Sequence, residues 1–241
     1  MKLSELRYTR ETAPHLEEIR RLSARSPWGA AVFTASYLLP ENENGAMWAG
    51  LDEYGRLSAV VFQDGRSRTW LTGKGGAVSL PPPGIQTAGF FLPPKRRERL
   101  SLMALSSLPA VPCPGPEETT AAVWDTLEMI CGDAPGAEAE KRAVLFLRAA
   151  AAGRAAAFTL RDESGRVEAA AQILAANERY ALIGNVYTRN DCRQKGDATR
   201  LIAACGAYAV RKGLTPVLYC ERNMRRFYAA RGYREVRYHG M

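Results

Sequence analysis

Hydrophobic positions change their period along the chain, and the changes mark out elements. Over residues 12–25, Leu16, Ile19 and Leu22 recur at helical spacing and predict an amphipathic helix. The stretch SPWGA breaks it, and residues 30–39 read as a second, short helix. From Met47 the period falls to two. The segment MWAGLDEYGRLSAVVFQDGRSRTWLTG predicts three strands joined by tight turns at 53–56 and 64–66. One more helix is expected within KRRERLSLMALSSL, residues 95–108. PAVPCPGPEE then has the proline and glycine content of a linker, which places a domain boundary near residue 112. The expected domains are 1–112 and 113–241.

The second half opens with a helix over 117–131, where Val123, Leu127 and Ile130 share a face, and another over 138–152. The segment AAFTLRDESGRVEAAAQILAANERYALIG then repeats the three-strand pattern. Its Asp162, Glu163, Gly165 and Arg166 follow Asp52, Glu53, Gly55 and Arg56 at a constant offset of 110. At that offset Trp48 meets Phe158 and Trp70 meets Tyr180. Tight hairpins favour Asp and Gly in any protein. A register held across both turns and the aromatics also fits an internal repeat of two related α/β units.

Residues 180–188 predict a strand whose interior Gly184 suggests a bulge or a splayed edge. Polar residues break the pattern, and a helix follows with Leu201, Ile202, Cys205 and Ala209 on one stripe. It ends at Arg211, Lys212 and Gly213, as helix C-termini do. A strand at 217–220, a short helix at 224–230 and a strand at 233–238 complete the chain.

Composition narrows what such a chain can do. Of 241 residues, 46% are apolar, enough for a packed core. The net charge of +8 favours an anionic partner. No run of eighteen apolar residues exists to span a bilayer, and the first residues, MKLSELRYTRETAPHL, lack the apolar stretch of a signal peptide. The five cysteines are odd in number and none forms a CxxC pair, so neither a disulfide framework nor a zinc knuckle is expected, and a cytoplasmic location fits. The two histidines, His15 and His239, stand at opposite ends, which argues against a His-centred triad or a metal site.

The strand–loop–helix at 185–213 carries the strongest chemistry. A helix start offers N–H groups without partners and a partial positive charge, which together suit a diphosphate. Gly196 allows close approach, and Arg193 and Lys195 add cations. Asp197 is the oddity: its carboxylate must turn away from a phosphate or cap the helix. In the first half, Pro81 to Pro83 have no N–H groups to offer at the corresponding place. One cradle per chain is therefore expected.

Arg193-x-x-Gly196-x-Ala198 resembles the Q/R-x-x-G-x-G/A signature of the GNAT superfamily of N-acetyltransferases. VYT before it looks like that family's fourth strand. Tyr219, Cys220 and Glu221 end a further strand, and Asn223, Phe227, Tyr228, Gly232 and Tyr233 are similar to the family's N…(F)Y…G(F/Y) ending. The likeness covers residues 155–238 strongly, 117–154 loosely, and 1–112 only as a decayed copy. It implies an α/β fold, with a mixed, mostly antiparallel central sheet flanked by helices, in two tandem units of which the N-terminal one is degenerate and walls off the acceptor site.

The resemblance further implies direct transfer of an acetyl or other acyl group from acetyl-CoA to a primary amine, without metal. Arg193, Gln194, Lys195, Gly196, Asp197, Ala198 and Thr199 would hold the diphosphate. Val186, Tyr187 and Thr188 would pair with the pantetheine arm as an added strand does, and the N–H of Val186 would face the thioester carbonyl. Tyr228 would protonate the departing thiolate, or else simply pack in the core. Asn223 would touch the pantetheine or act as a plain N-cap. Glu221 is a candidate base at a strand's C-terminal end, or a surface charge paired with Arg222 or Arg225, with water serving instead. The acceptor, a small molecule or a peptide, is not legible, nor is the oligomeric state. A rival is an acyl-CoA sensor that binds without turnover. A basic nucleic-acid binder ranks lower, because aromatic residues do not interleave with the cations.

Overall fold

The structure, a computed structural model, describes residues 5–25, 45–64, 67–72, 77–78, 100–108, 123–126 and 136–236. The helix expected at 30–39, the proline run at 81–83 and the linker at 109–118 lie outside them. The chain divides into two compact units, residues 1–100 with 236–241, and Ser101–Glu235.

In the first unit, strands β1 (Arg7–Thr9), β2 (Gly45–Leu51), β3 (Leu57–Asp64), β4 (Ser67–Thr72) and β5 (Ala77–Val78) form one antiparallel sheet in chain order. Helix α1 (Leu16–Ser23) buries Ile19 and Leu22 against Val60 of β3. Leu16, expected on the same stripe, begins the helix and stays exposed.

The second unit holds a six-stranded sheet in the order β11-β6-β10-β9-β8-β7. Its members are β6 (Leu100–Leu105), β7 (Ala156–Arg161), β8 (Val167–Ala176), β9 (Tyr180–Thr188), β10 (Thr215–Glu221) and β11 (Tyr233–Glu235). β7, β8 and β9 form an antiparallel meander, β9 and β10 run parallel, and β6 and β11 are antiparallel. Helix α2 (Gly136–Ala151) precedes the meander. Helix α3 (Asp197–Arg211) supplies the crossover that a parallel pair requires, and α4 (Arg225–Ala229) follows β10. Of the helix expected at 117–131, residues 123–126 are described, and they are helical.

The stripe on α3 is buried as expected: Leu201, Ile202, Cys205 and Ala209 are at most 1% exposed. They join Phe158, Ile173, Ile183 and Leu218 from the sheet in one core. Small alanines on β8, among them Ala169 and Ala171, belong to the same core. Burial of each large apolar side chain contributes about 1.5–3 kcal/mol, which fixes the start of α3 against the ends of β9 and β10.

The helix expected within 95–108 is instead strand β6. Ser101, Leu102 and Met103 are consecutive and all buried, because both sides of this strand are covered. A short run buried on both faces has no period to separate strand from helix. Residues Ser106 and Ser107 tie the strand's end to β11: both backbone amides donate to the Gly232 carbonyl, at 2.8 and 3.3 Å, and the Ser106 hydroxyl does so at 2.7 Å.

The two meanders correspond closely in their first hairpin. Ala49 faces Val60 and Thr159 faces Ala170, and both hairpins carry a bulge before the turn, at Gly50/Leu51 and Leu160/Arg161. Asp52 Oδ1 accepts from the amides of Tyr54 and Arg56, and Asp162 Oδ1 from those of Ser164 and Arg166. The second hairpins differ. Trp70 lies opposite Val61 in mid-strand, whereas Tyr180 begins β9 just after a turn closed by Asn177. Matching Trp70 with Tyr180 therefore fails in register, because β8 and β9 are each longer than β3 and β4.

Candidate functional site

β9 and β10 pair only from Thr215↔Tyr180 to Leu218↔Ile183. Beyond that point they part. β9 stays with β8, but its register slips by one residue between Gly184 and Tyr187. The extra residue makes a bulge in which Asn185 adopts a left-handed φ of 51° and neither Asn185 nor Val186 has a register partner. The bulge expected from Gly184 is present, and Gly184 has a specific part in it. A Cβ there would lie 2.4 Å from Leu174 Cδ1, so any larger residue has to displace that leucine side chain. Asn185 Nδ2 donates to Gln172 Oε1 at 2.7 Å, and that glutamine is 2% exposed.

The result is a gap between two strands of one sheet, with α3 starting beside it. A turn of 3-10 helix at Asn190–Cys192 leads into the loop. Gln194 and Gly196 take left-handed backbone, with φ of 70° and 87°, and Gly196 is the N-cap of α3. A Cβ on Gly196 would meet nothing within 4 Å, so the space above the helix start is open. The first backbone hydrogen bond of the helix runs from Arg200 N to the Gly196 carbonyl. No hydrogen bond among the described residues uses the backbone N–H of Arg193, Gln194, Lys195, Gly196, Asp197, Ala198 or Thr199. Seven donors are therefore left without a protein partner along one short loop and the first turn of the helix, at its positive end. They fit a diphosphate, which offers many acceptor oxygens and two or more negative charges.

The side chains of the loop are partly committed. Lys195 Nζ lies 3.0 Å from Glu168 Oε1 at the start of β8, and that carboxylate holds its pKa above the ordinary lysine value. Glu168 is pulled below the usual carboxylate range by Lys195 and by the Cys192 thiol, which donates at 3.3 Å. Arg193 Nε donates to the Thr188 carbonyl at 3.3 Å, tying loop to strand end. Thr188 Oγ1 is buried without a partner among the described residues. Asp197 does not cap the helix. It is the first helical residue, turned inward and 6% exposed, with Oδ1 3.4 Å from Arg200 Nη1 and Oδ2 unpaired. At that position its charge suits the helix dipole.

Tyr228 lies on α4 with its ring packed edge-on against Phe227 and Tyr233, centroids 5.1 and 6.1 Å away. It is 8% exposed. Burial pushes its pKa up, the Cys220 thiol adds to this, and the Arg231 guanidinium opposes it. Glu221 is exposed at the end of β10. It forms no ion pair with Arg222 or Arg225 among the described residues, and Arg225 instead bonds Glu235. Asn223 is exposed inside a 3-10 turn at Arg222–Met224. The N-cap of α4 is Met224, so the N-cap role open to Asn223 does not hold.

Three contacts here were missed in the sequence: Glu168 on Lys195, Gln172 on Asn185, and Arg231 on Thr199 at 2.8 Å. All are long-range. Only Gln172, a polar residue inside an alanine-rich strand, stands out when the chain is read alone.

Comparison with known proteins gives a family match for part of the chain. Residues 122–233 match the model of the acetyltransferase (GNAT) family. No curated protein matches the chain. Among solved structures, a Drosophila protein shares 12% identity, with 96% of this chain and 95% of that one covered and a TM-score of 0.60. A GNAT-family acetyltransferase from Colwellia psychrerythraea shares 9%, with 96% of both chains covered and a TM-score of 0.56. A tandem GNAT protein from the clavulanic acid biosynthesis pathway shares 15%, with 96% and 95% covered and a TM-score of 0.54. Against a GNAT-family protein from Novosphingobium aromaticivorans, at 23% identity and a TM-score of 0.45, the match covers 57% of this chain and 60% of that one. The three likenesses with TM-scores above 0.5 show a mixed α/β fold with a mostly antiparallel sheet flanked by helices. Residues 122–233 form a domain of the GNAT family, a family of acyltransferases.

Proposed function

We propose that this domain transfers an acetyl group from acetyl-CoA to the primary amine of a small molecule or peptide. The observation that carries the proposal is the row of seven N–H groups from Arg193 to Thr199, unpaired at the start of α3 and beside the parting of β9 and β10. Acetyl-CoA brings the acyl thioester. The amides of the loop, with Arg193, would hold its diphosphate, and the free edge of Val186, Tyr187 and Thr188 would take the pantetheine arm as an added strand. Asn223, exposed in the turn after β10, would touch the same arm.

The chain's groups then divide the proton traffic. The amine must attack in its neutral form, although a lysine-type amine has a pKa near 10.4. Glu221, exposed at the end of β10, or a water beside it, takes that proton as the carbon–nitrogen bond forms. The N–H of Val186, a residue without a register partner on β8, donates to the thioester oxygen as charge gathers there. The carbon–sulfur bond breaks, and the Tyr228 hydroxyl gives its proton to the sulfur. A phenol is a weaker acid than a thiol of pKa near 8.5, so position must favour this transfer.

A second reading, an acyl-CoA sensor without turnover, is favoured by the solvent exposure of Glu221, which leaves the site without a sequestered base among the described residues. Release of free CoA thiol with a panel of amines separates the two. Transfer to at least one amine is expected. Binding of acetyl-CoA with no release from any amine would leave only the sensor.

A further inference from the structure

The cradle's cations are mostly spoken for. Lys195 is paired with Glu168 at 3.0 Å and Arg200 with Asp197 at 3.4 Å. A diphosphate therefore meets fewer free positive charges here than the loop sequence suggests. Arg231 makes up the difference. It follows α4, 32 residues from Thr199 in sequence, yet its Nε and Nη2 donate to the Thr199 hydroxyl at 2.8 and 2.5 Å. Its Nη1 donates to the Phe227 carbonyl at 2.5 Å, and its guanidinium lies over the Phe227 ring, 3.4 Å from the centroid. No carboxylate pairs with it among the described residues. A guanidinium has five N–H groups. Three are used, so two remain for an oxygen anion.

We propose that Arg231 is a cofactor-positioning residue: its guanidinium supplies the uncompensated positive charge at the first turn of α3 and fastens the helix bearing Tyr228 to the diphosphate cradle. The inference rests on the cradle proposed above and adds a residue from outside the loop. A planar fork stacked on an aromatic face and bonded to a hydroxyl is held in one orientation, which a lysine cannot reproduce. Partial burial lowers the pKa of Arg231 but leaves it charged, because an arginine's ordinary value lies far above neutral pH. The same guanidinium opposes the rise in the pKa of Tyr228. One side chain thus touches the binding end of the site and biases its acid.

The test uses the full chain and two probes that divide the cofactor between them: inorganic pyrophosphate, and S-acetylpantetheine, which has no diphosphate. Arg231→Gln should weaken pyrophosphate and CoA alike, by about tenfold or more, as the loss of a charge-assisted contact does. It should leave S-acetylpantetheine binding unchanged, and it should flatten the salt dependence of CoA affinity. Arg231→Lys should recover part of the pyrophosphate affinity, because it keeps the charge without the fork. Should Arg231→Gln fail to fold, Thr199→Val removes the hydroxyl that orients the guanidinium and should give the same split. Equal weakening of both probes, or no change in either, overturns the inference and leaves the cradle standing. Wild-type protein that binds neither CoA nor pyrophosphate overturns the cradle itself.

Discussion

At the scale of single residues, Tyr228 meets two demands that oppose each other. Packing against Phe227 and Tyr233 buries its ring and raises its pKa, while Arg231 works the other way. A general acid is useful only while protonated, and a raised pKa moves its loss of the proton to higher pH. The alkaline fall in kcat that belongs to this group is therefore expected above pH 10, the ordinary tyrosine value. Tyr228→Phe should remove that limb, cut kcat by about a hundredfold or more, and leave CoA affinity unchanged. Steady-state kinetics across pH, with binding measured in parallel, checks all three. Gly184 makes a purely steric prediction. Its missing Cβ accommodates Leu174, so Gly184→Ala should destabilise the fold by about 1–3 kcal/mol. Leu174→Ala in the same chain should relieve part of that loss, because the two sites share one contact. Thermal unfolding of the two single variants and the double variant reads the coupling directly.

At the scale of elements, β6 decides what counts as the second unit. It fills the place between β10 and β11, yet it lies before the residues that match the family, 122–233. A chain begun at residue 113 lacks this strand and would expose the facing edges of β10 and β11. It is expected to stay unfolded or aggregate, whereas a chain begun at residue 95 keeps a cooperative transition. Circular dichroism melts of the two fragments distinguish these outcomes. The same strand shows where sequence patterning stops being informative. Alternation exposed the meanders, and the Asp–Gly turns appeared in register at both Asp52 and Asp162, because half-buried strands and tight turns leave local signatures. The stripe on α3 was legible for the same reason. β6 was not, since Leu102 and Met103 are adjacent and both buried. The match of Trp70 with Tyr180 misled because two aromatics at one offset say nothing about strand length.

At the scale of the whole molecule, the net charge of +8 has a local meaning. It bears on function through the few groups that gather at the start of α3, and two of those, Lys195 and Arg200, are already neutralised by Glu168 and Asp197. The loop was legible because a glycine-bearing break between a strand and a helix is a local pattern. Its completion by Arg231 was not, because that contact exists only after folding. The one cradle per chain expected from the sequence predicts a single equivalent of acetyl-CoA, and calorimetric stoichiometry checks it. The central claim is narrower still, that the backbone amides of the loop themselves clasp the diphosphate. Amide resonances of an isotope-labelled chain, followed as CoA is added, test it most directly. The N–H signals of Gly196, Ala198 and Thr199 are predicted to shift together and saturate at one equivalent, with inorganic pyrophosphate moving the same signals in the same direction. Signals that stay in place while CoA binds, or that move only at other parts of the chain, would contradict the account.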